Sequence, residues 1–306
     1  MDVRGTPAGP GQRSALRALA SAARPAQWVK NLAILVPLVF SRRATEPAYL
    51  ARALVAFAAF CLLSAATYIG NDLADRTQDR AHPRKRYRAI AAGELAPRTA
   101  GTAAAVLAAL GLALSSSLGL PFVLAATGYL ALQVAYTAVL KRVAVVDVFA
   151  IAAGFVLRVV AGAEAVDVPV SNWLYLTTVF LALFLALEKR RSELMLLGEG
   201  AVEHRGILAE YTSSLLDQLV AVAASGTVVT YSLYTLAPDT LRKFGTDRLK
   251  YTVPVVLFGV SRYLYLVHRR GEGGEPERVL LRDRVMELAV LGYAAVVGWA
   301  IYGRRP

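Results

Sequence analysis

The chain has 306 residues, of which 56% are hydrophobic and 18% charged, whereas soluble domains are roughly 45–50% apolar. Lys and Arg outnumber Asp and Glu by 34 to 22, yet the charged fraction is too low for a soluble nucleic-acid-binding protein, so no nucleic-acid partner is expected. One cysteine and three scattered histidines exclude a disulfide framework and a metal site built from thiols or imidazoles.

This composition predicts a polytopic membrane protein of the all-α class, a bundle of nine transmembrane helices. Residues 1–26 lack the separate apolar core of a signal peptide. We predict a disordered cytoplasmic tail there and a single transmembrane domain over residues 27–306. Crossing a bilayer takes ~20 apolar residues, and nine stretches are candidates: 27–42, 48–70, 98–117, 120–138, 143–163, 170–187, 212–237, 251–267 and 285–303.

The distribution of basic residues predicts which side of the membrane each connection faces. If the N-terminus is cytoplasmic, the inner connections hold 23 Lys and Arg residues and the outer connections hold 8. Short cytoplasmic connections are enriched in Lys and Arg. The bias therefore predicts a cytoplasmic N-terminus, and we expect a multi-pass protein of the bacterial plasma membrane.

The cytoplasmic end of the second predicted helix carries the most informative motif. At about 100° per residue, four oxygen-bearing side chains fall within one quarter of the helix surface: Asn71, Asp72, Asp75 and Asp79. Clustered carboxylates need a cation between them. Hard oxygen ligands suit Mg2+, which shares its ligand shell with substrate phosphates. The motif therefore predicts a Mg2+ site, and the alternative is a solvated helix end paired with Arg76 and Arg80.

Basic residues follow in three connections on the same predicted side. An acidic face beside basic loops is the arrangement expected for a Mg2+-diphosphate, with the metal on one side and Lys or Arg on the other. The candidate binding residues in these loops are Lys85, Arg86, Arg88, Tyr136, Lys141, Glu188, Lys189, Arg190 and Arg191. The positive-inside rule also accounts for basic residues here, so both explanations stay open.

Charged residues within the predicted helices require partners in the bundle. Arg158 is costly in lipid and should face the interior, where it either binds an anion or pairs with a carboxylate. Arg262 and Asp217 are expected to form structural ion pairs. Asp147 lies in an apolar helix without a phosphate-binding loop beside it, so we do not interpret it as part of a phosphoribosyl-binding segment.

The acidic run Asn71–Asp79, followed by Arg88, Gly93, Tyr136 and Lys141, resembles the UbiA superfamily of intramembrane prenyltransferases. The resemblance implies a nine-helix fold that binds Mg2+ and a diphosphate at the cytoplasmic side. The implied Mg2+ ligands are Asn71, Asp72, Asp75 and Asp79, and the three aspartates are the implied catalytic residues. The sequence departs from the family at 188–193, where a second acidic motif is replaced by Glu-Lys-Arg-Arg-Ser-Glu.

Three further motifs resemble one branch of that superfamily, the decaprenyl-phosphate phosphoribosyltransferases. They are Trp28–Asn31 with Pro37–Phe40, the stretch Glu188–Leu194, and Arg205-x-x-Leu208-x-x-Tyr211. The resemblance implies transfer of 5-phosphoribose from phosphoribosyl pyrophosphate to a polyprenyl phosphate lipid in arabinogalactan precursor synthesis for the cell wall. Lys30 and Asn31 join the candidate binding residues. The oligomeric state stays open, including a homo-oligomer.

Two alternatives compete with this interpretation. One is a UbiA-type prenyltransferase that uses an isoprenyl diphosphate and an aromatic or other small acceptor. The other is a transporter of anionic lipids, which ranks last because transporters typically carry inverted repeats and ionisable residues near the bilayer midplane. The basic stretch at 189–191 favours phosphoribosyl transfer, because both of its substrates are polyanions.

Overall fold

The computed structural model describes residues 15–83, 85–197, 206–270 and 283–303, and these form helices with no β-strand. The α-helices are α1 Ala15–Ala22, α2 Val36–Phe40, α3 Pro47–Ala74, α4 Arg76–Ala81, α5 Pro97–Ser116, α6 Leu120–Ala138, α7 Val146–Ala165, α8 Asn172–Leu197, α9 Ser213–Leu236, α10 Pro238–Phe244, α11 Val253–Arg270 and α12 Arg284–Tyr302. Short 3-10 segments lie at Pro25–Leu35, Lys85–Tyr87, Leu140–Arg142, Gly206–Glu210 and Arg248–Thr252.

Seven of these helices are long and apolar enough to cross a membrane: α3, α5, α6, α7, α8, α9 and α12. The other two predicted spans correspond to Pro25–Phe40, a shorter apolar segment that begins as a 3-10 helix, and to α11. The all-α membrane class is confirmed, whereas the count of nine spans is not. Large apolar side chains such as Leu120, Leu124 and Val134 are more than 60% exposed, as expected of a surface that lipid covers.

Helix α7 lies at the centre of the described bundle. One apolar cluster joins it to α8, α9 and α11, and a second joins it to α3, α6 and the Pro25–Leu35 segment. Gly162 makes the second contact possible, because a Cβ at this position would overlap the carbonyl group of Ile34. The chain before α2 is therefore packed directly against the α7 backbone.

The structure differs from the predicted disordered tail in its last part. Helix α1 packs Ala18 and Ala22 against Ile69 and Ile90, and all four are buried. Alanine has the highest helix propensity, and its small side chain allows α1 to lie close to α3. Residues 1–14 of the predicted tail lie outside the described residues.

Candidate active site at one end of the bundle

The acidic motif lies where α3 ends and the chain turns. Helix α3 stops at Ala74, Asp75 has the backbone angles φ −91° and ψ 5°, and α4 begins at Arg76. The four candidate ligands are therefore not on one continuous helix, as the angular argument assumed. They form two pairs with different basic partners.

The first pair, Asn71 and Asp75, contacts the end of α6 and the connection after it. The Asn71 side-chain amide donates to Asp75 Oδ2 at 3.2 Å, and Thr137 donates to Asn71 Oδ1 at 3.2 Å. Lys141 donates to Asp75 Oδ1 at 2.5 Å. This arrangement brings together three of the predicted residues and adds Thr137, which the sequence analysis did not select.

The second pair, Asp72 and Asp79, shares one guanidinium group. Arg88 donates from Nη1 to Asp72 at 3.0 Å and to Asp79 at 2.8 Å, and Arg24 also forms an ion pair with Asp72. Both carboxylates are only 3% exposed. Burial raises the pKa of Asp79, and Arg88 opposes that rise because its positive charge favours the ionised carboxylate.

The basic partners of the acidic motif are not the ones named in the alternative interpretation, Arg76 and Arg80. Arg80 donates instead to the Ala91 carbonyl at 3.1 Å. Arg24 lies in the predicted tail, so no spacing in the sequence pointed to it. Three carboxylates are thus balanced by three basic side chains, those of Arg24, Arg88 and Lys141.

Arg190 lies beside this site in a buried network. It is 1% exposed, and it donates to Asp147 Oδ2 at 2.5 Å, to Glu193 at 2.6 Å and to the Tyr136 hydroxyl at 3.1 Å. Asp147, which the sequence analysis set aside, is fully buried and also accepts a hydrogen bond from Tyr211 at 2.7 Å. In this structure Arg190 is an ion-pair partner rather than an open phosphate ligand.

The other candidates of the α8 stretch face different neighbours. Arg191 forms an ion pair with Asp217 on α9. Glu188 is fully buried, and among the described residues neither of its carboxylate oxygens has a hydrogen-bond partner. Lys189 is half-buried. The expected structural pairing of Asp217 is present, and so is that of Arg262, which binds Asp283 at 2.8 Å.

The remaining basic candidates near the acidic motif form hydrogen bonds with residues close to them in the sequence. Lys30 donates to Gln27. Arg86 donates to the Tyr87 hydroxyl at 2.7 Å, and the backbone N–H of Lys85 donates to His82 at 3.3 Å. The structure therefore brings Arg88 and Lys141, but not these residues, into direct contact with the carboxylates.

Asn31 and Arg158 form a separate polar cluster within the bundle. Arg158 donates to Asn31 Oδ1 at 2.8 Å, to the Tyr129 hydroxyl at 3.0 Å and to the Gly154 carbonyl at 2.9 Å. Ser64 also donates to Asn31, and it precedes Asn71 by seven residues, about 10 Å along α3. Within the described ranges, no carboxylate lies at ion-pair distance from Arg158.

The chemistry of the acidic motif fits a divalent cation that binds together with a phosphate ligand. Across the part of the chain that the structure describes, no three Asp, Glu, His or Cys side chains converge to form a complete metal cage. Mg2+ does not need one, because it usually takes one or two carboxylates and completes its shell with water and substrate phosphates. Asn71 and Asp75, which are joined by a hydrogen bond from the Asn71 amide N–H to Asp75 Oδ2, carry one amide oxygen and one carboxylate, and these are oxygen donors of the kind that Mg2+ takes.

These features define a multi-pass helical membrane protein with an acidic and basic site at one end of its bundle. The model of the UbiA prenyltransferase family matches residues 32–190, which is more than half of the chain. The chain belongs to this family.

The relatives and the solved structures agree with that assignment. Decaprenyl-phosphate phosphoribosyltransferase from Mycolicibacterium smegmatis is 36% identical over 304 residues, which cover 96% of this chain and 95% of the relative. The protein of the same name from Mycobacterium tuberculosis is 35% identical over 285 residues, with 92% and 93% covered. A UbiA homolog from Archaeoglobus fulgidus, bound to GPP and Mg2+, superposes with a TM-score of 0.71 at 20% identity and covers 94% of this chain and 97% of its own. At that identity the likeness shows the fold alone.

Proposed function

We propose that this protein transfers 5-phosphoribose from phosphoribosyl pyrophosphate to decaprenyl phosphate and releases diphosphate, as a step in arabinogalactan precursor synthesis. The observation that carries the proposal is the interleaving of carboxylates and basic side chains at one end of the bundle, with Arg88 between Asp72 and Asp79 and Lys141 on Asp75. The similarity to decaprenyl-phosphate phosphoribosyltransferases along 96% of the chain supports the choice of substrates.

The proposed reaction is a displacement at C1 of the ribose. The bond between C1 and the diphosphate oxygen breaks, its electron pair leaves with diphosphate, and an oxygen of the lipid phosphate forms the new bond to C1 through an oxocarbenium-like transition state. The lipid phosphate is already an anion at neutral pH, since its second pKa is ~6. No residue has to remove a proton from it.

The residues of the site have two tasks in this proposal. Asn71, Asp72, Asp75 and Asp79 would hold Mg2+, which when bound supplies positive charge to the departing diphosphate. The basic side chains that now neutralise these carboxylates, Arg24, Arg88 and Lys141, would contribute charge-assisted hydrogen bonds to the phosphates. Candidates for the remaining phosphate groups are Lys30, Lys85, Arg86, Lys189 and Arg191.

Prenyl transfer is the competing reaction, and the end of α8 argues against it. In the stretch where the family carries a second acidic motif, this sequence has Glu188 and Glu193. Glu193 pairs with Arg190 at 2.6 Å, whereas Glu188 is buried and has no hydrogen-bond partner within the part of the chain that the structure describes. Glu188 and Glu193 therefore do not converge as a second pair of carboxylates for a metal-diphosphate.

The deciding experiment offers the purified protein both donors. Protein in nanodiscs with decaprenyl phosphate receives labelled phosphoribosyl pyrophosphate in one reaction and a labelled isoprenyl diphosphate with an aromatic acceptor in another, each with Mg2+. We expect label in the lipid fraction only from phosphoribosyl pyrophosphate. Incorporation from the isoprenyl diphosphate alone would replace this proposal with prenyl transfer.

We further propose that the site faces the cytoplasm, and we expect one-sided labelling of introduced cysteines. Cysteines replacing the exposed residues Gln78 and Arg86 should react with an impermeant maleimide only in inverted membrane vesicles, and one replacing Asp239 only in intact cells. The native cysteine, Cys61, is buried, and the labelling of the unmodified protein measures the background. Labelling of Arg86→Cys in intact cells would contradict the proposed orientation and indicate the opposite one.

A further inference from the structure

Through one hydroxyl group, Tyr211 contacts both the last residue of the connection between α6 and α7 and the first turn of α7. It donates to Asp147 Oδ1 at 2.7 Å and accepts a hydrogen bond from the backbone N–H of Val145 at 2.7 Å. Tyr211 is 3% exposed, and burial raises the pKa of its hydroxyl to about 12, so it stays protonated and donates at neutral pH. Removal of the Tyr211 hydroxyl would take away both the donor to Asp147 and the acceptor of the Val145 N–H.

Val145 has a backbone conformation that a β-branched residue rarely adopts. Its angles are φ 68° and ψ −44°, and the N–H of Val146 donates to the carbonyl of Ala144 at 2.8 Å. These features describe a γ-turn with positive φ, a rare and strained form for an L-residue with a branched Cβ. The Tyr211 hydroxyl binds the N–H at the centre of that turn.

The strained turn ends the connection that carries Lys141. This connection spans residues 139–145, between α6 and α7. Tyr136, just before it, accepts a hydrogen bond from Arg190, and Arg190 in turn binds Asp147. Both ends of the connection are therefore tied to the same buried ion pair, and Lys141 lies between them against Asp75.

We propose that Tyr211 is a positioning residue that holds the connection between α6 and α7 in its strained turn and thereby sets Lys141 beside Asp75. It acts through Val145 and Lys141 and does not need to touch a substrate. The inference rests on the proposed function in one respect, that Lys141 contributes to binding the diphosphate group.

The test replaces Tyr211 by Phe, which keeps the ring and removes the hydroxyl. The probe is inorganic diphosphate with Mg2+, titrated calorimetrically onto the purified protein. We expect Tyr211→Phe to weaken diphosphate binding about tenfold, which is at the lower end of the effect of losing a charge-assisted hydrogen bond. The KM for the donor should rise by a similar factor, and kcat should change less than threefold. Tyr302→Phe is the matched control, because the Tyr302 hydroxyl donates to the Val39 carbonyl at 2.7 Å, away from the site.

Two double variants separate positioning from a general structural role. Tyr211→Phe in a Lys141→Met background should cause no further loss of diphosphate affinity, because both changes act on the same contact. Tyr211→Phe combined with Val145→Gly should recover at least half of the loss on a logarithmic scale, because glycine adopts positive φ without a steric penalty.

Three results would overturn the inference. The first is an unchanged diphosphate affinity in Tyr211→Phe, whether or not its melting temperature falls. The second is a loss of diphosphate affinity that adds fully to the loss in Lys141→Met. The third is no recovery of diphosphate affinity when Val145→Gly is combined with Tyr211→Phe. A wild-type protein that binds inorganic diphosphate but does not use phosphoribosyl pyrophosphate would refute the proposed function alone, and the same titrations would still decide the role of Tyr211.

Discussion

Asp75→Asn and Asp79→Asn are each expected to lower kcat/KM by about 100-fold or more while the protein remains folded. Each change keeps the shape of the side chain and removes its charge, and losing one electrostatic contact to a transition state typically costs 10²–10³ in rate. The fold should persist because Arg88 keeps Asp72 as a partner when Asp79 is neutral, and Asp75 is partly exposed. Initial rates at several Mg2+ concentrations measure the effect.

Asp239→Asn is the matched control for these variants. Asp239 is an exposed aspartate on α10 that also pairs with an arginine, Arg242. Its replacement should leave kcat/KM unchanged. If kcat/KM of Asp75→Asn lies within threefold of the wild-type value and has the same Mg2+ dependence, the acidic motif does not take part in the reaction.

Arg190→Ala is expected to lower the free energy of unfolding by about 3–5 kcal/mol, because it leaves the fully buried Asp147 carboxylate without its counter-ion. Arg190→Asp should be worse, since it places a second negative charge beside the first. The double variant Arg190→Met with Asp147→Asn should recover much of the loss. Chemical denaturation in mixed micelles measures these differences.

Arg191→Ala serves as the comparison within the same stretch. Its partner Asp217 is 49% exposed, and such a pair contributes about 0–1 kcal/mol. The sequence alone predicts a different effect for Arg190, a KM increase of about 10- to 150-fold from one lost phosphate contact. Unchanged stability in Arg190→Ala with such a KM increase would favour that phosphate contact over the ion pair.

The acidic motif could be found from sequence because its residues are close in the chain. Spacing along one helix selects Asn71, Asp72, Asp75 and Asp79, although it does not reveal that α3 ends at Ala74. The basic partners could not be ranked, because the positive-inside rule predicts Lys or Arg throughout these connections. Arg24 and Lys141 reach the motif across 48 and 66 residues, and no local pattern records such contacts.

The ion pair between Asp147 and Arg190 could not be predicted from the sequence for the same reason. Each lies in an apolar helix, and their pairing depends on how α7 and α8 face one another, with Tyr211 closing the network from a third segment. Local spacing suggests only that Glu188 and Glu193 lie on different faces of α8. The placement of Arg190 in an ion pair follows from tertiary packing.

The most direct test of the central claim is the binding of labelled phosphoribosyl pyrophosphate to the purified protein in nanodiscs, with Mg2+ and with EDTA. The acidic motif should make binding depend on Mg2+, and geranyl pyrophosphate should compete poorly. Asp75→Asn should weaken binding at least tenfold, because mutation of even the outer-shell partners of metal ligands typically costs about 10- to 100-fold, and Asp239→Asn should not. Equal binding in EDTA, or equal binding by Asp75→Asn and the wild type, would contradict a metal-assisted diphosphate site at this end of the bundle.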